Sequence, residues 1–98
     1  MSVSTRATPD AYQTAQKAMA DLKSAIYMLL AGAPADGLRN VDVGHALGIY
    51  TGHVGHEGHV SRTILALMEA EGVVMQESSD KKWSLCEHPK SESDVQQL

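Results

Sequence analysis

The side chains able to do chemistry in this sequence gather in its middle third. The pair Gly-His recurs every three residues, which gives His53, His56 and His59, and His45 lies a few residues upstream. Imidazole ligates zinc, nickel and copper, and it gains a proton near about pH 6.5. Three rings supply three ligands, and His45 becomes a fourth if the turn folds back. The stronger metal signatures, Cys-x-x-Cys and His-Glu-x-x-His, are absent. A glycine before each ring makes a flexible loop instead of a prearranged cage. The expectation is no cofactor, with His53, His56 and His59 exposed or touching phosphate. A metal- or pH-responsive loop is kept as an alternative. Ser61, Cys86 and the histidines form no nucleophile–base motif, so an enzyme is not expected.

The remaining candidates are cations. Over residues 38–64, Arg39 and Arg62 face only Asp42 and Glu57, although the whole chain of 98 residues carries −4. Nucleic-acid affinity comes largely from Lys and Arg neutralising phosphates. A locally neutral or weakly positive face is therefore the most this sequence offers. Cys86 is the one cysteine, no apolar run reaches the length of a membrane span, and the N-terminus has no signal-peptide core. Those features fit a cytoplasmic protein with no membrane partner.

Helices and a hairpin must position these groups. Thr8-Pro9-Asp10 is a helix start, with Thr8 as cap and Pro9 in the first turn. Tyr12, Ala15, Met19, Leu22, Ile26 and Leu29 continue at spacings of three and four to about residue 31. Gly32, Pro34 and Gly37 make a loop, and Leu38 suits a short strand. Arg39 or Asn40 starts a second helix that runs to Leu47, with Asn40 the better cap by chemistry, and Gly48 ends it. Residues 50–59 form a long glycine-rich turn. A third helix spans residues 59–71, with Val60, Ile64, Leu65, Leu67 and Met68 apolar and Gly72 as its stop. The period then changes to two: strands over residues 73–77 and 82–86 flank a turn at 78–81. Trp83 and Leu85 share one face, and Lys82 and Ser84 share the other. The fold class is mostly α with a small antiparallel β-hairpin. Residues 9–86 form one domain, residues 1–8 are expected to be disordered, and residues 87–98 form a flexible polar tail.

The order helix, helix, turn, helix, hairpin resembles the winged helix-turn-helix superfamily of bacterial regulators, over about residues 22–86. The most specific stretch is residues 60–74, where Met68-Glu69-Ala70-Glu71-Gly72 is similar to the Leu-Glu-x-x-Gly that ends the family's recognition helix. Leu38-Arg39-Asn40-Val41-Asp42-Val43-Gly44 looks like the start of its second helix. A departure lies between helices two and three. Tyr50 to His59 spans ten residues, where the family turn takes about four. Z-DNA readers in the family use an Asn and a Tyr on helix three, and Arg62 and Ala66 take those places here.

The resemblance implies a double-stranded DNA binder, a small transcriptional regulator whose third helix enters the major groove. With Ile64, Leu65 and Met68 turned to the core, His59, Arg62, Thr63 and Ala66 face outward. Arg62 can pair with guanine or phosphate, Thr63 can donate to phosphate, and Ala66 leaves room for a thymine methyl. Ser61 is expected to help at the helix start, Arg39 to anchor helix two, and Lys81 and Lys82 to reach phosphates from the wing tip. Trp83 is expected to pack beneath the wing. Tyr12, Ala15 and Met19 project past the core as a short seam, which suggests a homodimer. The net charge leaves a second reading, a winged helix used for protein–protein contact.

Overall fold

The computed structural model describes residues 8–86. Helix α1 spans Pro9–Ala31, α2 spans Asn40–Ala46 and α3 spans His59–Ala70; β1 (Val74–Gln76) and β2 (Trp83–Leu85) follow. The strands pair antiparallel with Val74 opposite Leu85 and Gln76 opposite Trp83. The chain is thus three helices with a small two-stranded sheet, arranged as in a winged helix. The assignments to residues 1–7 and 87–98 lie outside the described residues.

Local chemistry accounts for the element ends. The Thr8 hydroxyl accepts the Ala11 N–H at 3.1 Å and Pro9 fills the first turn, so α1 starts where the sequence indicates. α2 and α3 both end in a left-handed glycine, Gly48 at φ 71° and Gly72 at φ 80°. In each case two amides close back on the last turn. Ile49 and Gly48 donate to Gly44 and His45, and Val73 and Gly72 donate to Met68 and Glu69. That closure satisfies carbonyls a helix end leaves open and turns the chain sharply. The start of α2 falls where the sequence indicates, but Asn40, the better cap by chemistry, is not the cap. The cap is Arg39, whose extended N–H donates to the Asp42 carboxylate at 3.1 Å. Asn40 sits inside the first turn because its amide is committed to α3.

Every element contributes to the core. Ile26 and Leu30 come from α1, Val43 from α2, Ile64, Leu65 and Met68 from α3, Val74 from β1 and Trp83 from β2. This aliphatic set with one large aromatic is what the composition requires. Each buried side chain of this kind is worth about 1.5–3 kcal/mol relative to exposure. Leu22, Leu29, Leu38, Leu47, Val73 and Leu85 pack around the rim. Met19 joins them, which corrects its placement on a projecting seam: it rests on the core, whereas Tyr12 and Ala15 are exposed. Both strands are three residues long, shorter than the alternation indicated. Leu38 forms an isolated bridge with Trp83, each donating to the other's carbonyl, so the short strand foreseen there is reduced to one paired residue.

Candidate nucleic-acid interface

The approach of α2 to α3 sets the site. Asn40 Nδ2 donates to the Gly58 carbonyl at 3.1 Å, and Ser61 Oγ donates to Asn40 Oδ1 at 2.8 Å. Both ends of one amide are therefore satisfied, and the starts of the two helices are joined across the long loop. Ser61 is fully buried, at 0% exposure. Its expected contact with DNA is corrected on that ground: the hydroxyl holds the helices together and does not reach the surface. Gly44 permits the close packing, since a Cβ there would meet Tyr50 Cδ1 at 2.8 Å and Ser61 Oγ at 3.3 Å.

On the opposite side of α3, His59, Arg62, Thr63 and Ala66 are all exposed, while Ile64, Leu65 and Met68 are buried. The outward face of the helix is the one its periodicity indicates. Residues 8–86 hold six lysines and arginines. Three have acidic partners: Lys17 with Asp21 at 2.7 Å, Lys23 with Glu71 at 2.6 Å and Lys82 with Asp36 at 2.8 Å. The other three, Arg39, Arg62 and Lys81, form no ion pair among the described residues. They meet in one cleft of about 420 Å³ between α2, α3 and the hairpin, whose walls include Asn40, Tyr50, Gln76 and Trp83 and no acid. Lys81 enters from the wing turn, where its backbone takes φ 64°.

The other face of the hairpin has the opposite charge. A depression of about 320 Å³ there is lined by Asp36, Glu77 and Asp80, together with Met75 and Ser84. Lys82 is bonded to Asp36 on this side, although its charge is still near enough to Arg39 to be repelled by it. Its hydrogen bond to Asp36, and then the carboxylate charge, raise its pKa above the ordinary lysine value, and the same bond holds Asp36 below the usual carboxylate range. Lys82 is therefore a wing cation already neutralised by a neighbour, unlike Lys81 beside it. Of the two lysines expected to reach phosphates, Lys82 already has an acidic partner and Lys81 has none among the described residues.

The glycine-rich turn brings two histidines together. His56 Nδ1 and His59 Nε2 lie 3.3 Å apart, within reach of an N–H···N bond. His53 is exposed elsewhere on the loop, and the His45 ring stacks on Tyr50 with centroids 4.3 Å apart. Among the described residues no three His, Cys, Asp or Glu side chains group as metal ligands. No described helix is long and apolar enough to cross a membrane.

Sequence reasoning located Arg39, Arg62 and Lys81 but not their convergence, and it missed Tyr50 and Gln76 as cleft walls. One signal for Gln76 was available. Val74 and Gln76 share a strand face, and so do their partners Leu85 and Trp83. The inner face of the hairpin therefore runs from core into cleft. No family model, no curated protein and no solved structure matches this chain.

Proposed function

We propose that this chain is a winged helix-turn-helix protein that binds double-stranded DNA, a small cytoplasmic transcriptional regulator of bacterial type. The observation that carries the reading is the meeting of Arg39, Arg62 and Lys81, none of them ion-paired among the described residues, beside the exposed face of α3. A helix of this width fits the major groove, where Arg62, Thr63 and Ala66 meet base edges and Arg39 and Lys81 meet the flanking phosphates. The net charge of −4 makes the binding weak and salt-sensitive without removing the local attraction. Two copies joined through Tyr12 and Ala15 would offer two α3 helices to a palindromic site.

Titration of a mixed-sequence duplex at low salt, read by fluorescence anisotropy and by amide resonances, tests this. The two phosphate contacts of Arg39 and Lys81 give log K falling with log salt at a slope of about −1.8, or about twelvefold between 50 and 200 mM. Shifts concentrated at Arg39, Arg62, Thr63 and Lys81 are expected. No shift there, under conditions where a basic control domain binds, overturns the proposal. The rival reading is a protein-contact module whose working surface is the acidic depression of Asp36, Glu77 and Asp80. It places partner-induced shifts on that face and none on the cleft.

A further inference from the structure

The cleft has more room than a backbone phosphate requires. We infer that it is a binding site for a compact diphosphate group, free or as the phosphate end of a nucleotide, independently of whether duplex DNA binds. Arg39, Arg62 and Lys81 come from three different elements and surround a space of about 420 Å³. Pockets for small ligands begin at about 300 Å³. The terminal phosphate carries about −1.5 to −2 at neutral pH and the inner one of a nucleotide about −1, so a diphosphate of about −3 balances three cations. No acid lines the cavity, although the Asp42 carboxylate accepts the Arg39 backbone N–H at 3.1 Å just outside it, and the mutual repulsion of the three cations is relieved when an anion enters. Guanidinium groups suit this role because their planar donors fit phosphate oxygens two at a time.

The polar groups of the cleft also limit what is recognised. Asn40 uses its NH₂ on Gly58 and its oxygen on Ser61, and Gln76 donates to the Lys81 carbonyl at 3.0 Å. The Asn40 amide and the Gln76 NH₂ are engaged within the protein, and the remaining Gln76 oxygen can only accept, which leaves the cations as the main recognition element for an anion. Trp83, at 5% exposure, forms an apolar part of the wall. The ligand is therefore selected by its phosphates, and a nucleobase adds little.

The full chain, in phosphate-free buffer at low salt, is titrated with inorganic pyrophosphate, ADP and adenosine. The readouts are the arginine Nε resonances and the fluorescence of Trp83, the one tryptophan of the chain. Pyrophosphate and ADP are expected to move Arg39 and Arg62 with apparent Kd below about 1 mM, and adenosine to move neither. Arg62→Ala and, separately, Lys81→Ala each weaken pyrophosphate about tenfold. Lys82→Ala, on the opposite face, changes it less than about twofold. Thr63→Glu, on the outer face of α3 and outside the cleft lining, blocks a duplex and, not being three or four residues from Arg62, leaves pyrophosphate bound, which separates this site from the DNA reading. The inference is overturned if pyrophosphate leaves both arginines unmoved at about 10 mM, if adenosine binds as well as ADP, or if Lys82→Ala weakens pyrophosphate as much as Arg62→Ala.

Discussion

The two faces of the wing carry adjacent lysines with opposite fates. On the inner face Lys81 shares a cleft with Arg39 and Arg62, and no acid lines it. On the outer face Lys82 is held 2.8 Å from Asp36, in an area that also contains Glu77 and Asp80. A protein of net charge −4 thus concentrates its unpaired described cations on one surface and its wing acids on the other. Strand alternation does the sorting: Val74, Gln76, Trp83 and Leu85 point inward, while Met75, Glu77, Lys82 and Ser84 point outward. Net charge is therefore a poor guide to what this surface attracts, because the field at a cleft depends on which charges line it.

The largest expected effect comes from reversing one inner charge. Arg62→Glu removes a base or phosphate contact and adds repulsion, so duplex affinity falls by about 2 kcal/mol, roughly thirtyfold. Lys81→Ala lowers the magnitude of the salt slope by about 0.9. Lys82→Ala changes affinity less than about twofold, because its exposed ion pair already occupies it. Anisotropy at several salt concentrations compares the three variants. Equal losses from Lys81→Ala and Lys82→Ala would break the distinction between the faces.

A second effect concerns the connection that places Arg39 and Arg62 on one cleft. Asn40→Ala removes the 2.8 Å acceptor of the buried Ser61 hydroxyl, which keeps only its longer bond to the Gly58 carbonyl at 3.4 Å, and takes one of the donors from that carbonyl. The cost is about 1–3 kcal/mol, read as a lower urea midpoint. Ser61→Ala loses part of the same network. The double variant therefore loses less than the sum of the two singles. Additive losses would show that Asn40 and Ser61 do not act as a unit.

How much of this was legible in the sequence follows from the range over which each signal acts. Helix limits, glycine stops and the change to period two are local, and they located all five elements. The outward face of α3 follows from Ile64, Leu65 and Met68 in the same way. Tertiary commitments were not legible. Ser61 and Asn40 have the chemistry of a surface donor and a helix cap, and only the crossing of α2 and α3 turns them toward each other. The ion pair of Lys82 joins residues 46 apart in the chain, beyond any local pattern. Yet the alternation that set Lys82 opposite Trp83 was readable, although Lys81, placed in the turn, fell outside it.

The smallest effect tests whether pairing or orientation keeps Lys82 out of the interface. The Lys82 hydrogen bond, and then its charge, hold Asp36 below its ordinary pKa. The resulting stability is complete above the unfolded carboxylate value of about 4 and is lost as pH falls through the lower folded value. Lys82 is shifted upward, so its share is complete below the unfolded lysine value and is lost as pH rises through the higher folded one. Across the neutral range the pair is constant. Asp36→Asn therefore lowers stability slightly at pH 7, and the difference from the parent shrinks toward about pH 2, measured by urea unfolding. The same variant frees Lys82 and changes the net charge from −4 to −3 by removing one acid. If orientation governs, duplex affinity rises only slightly, and Lys82→Ala still has little effect in the Asp36→Asn background. If pairing governs, Lys82 becomes a fourth contact in that background, and the salt slope steepens by about 0.9.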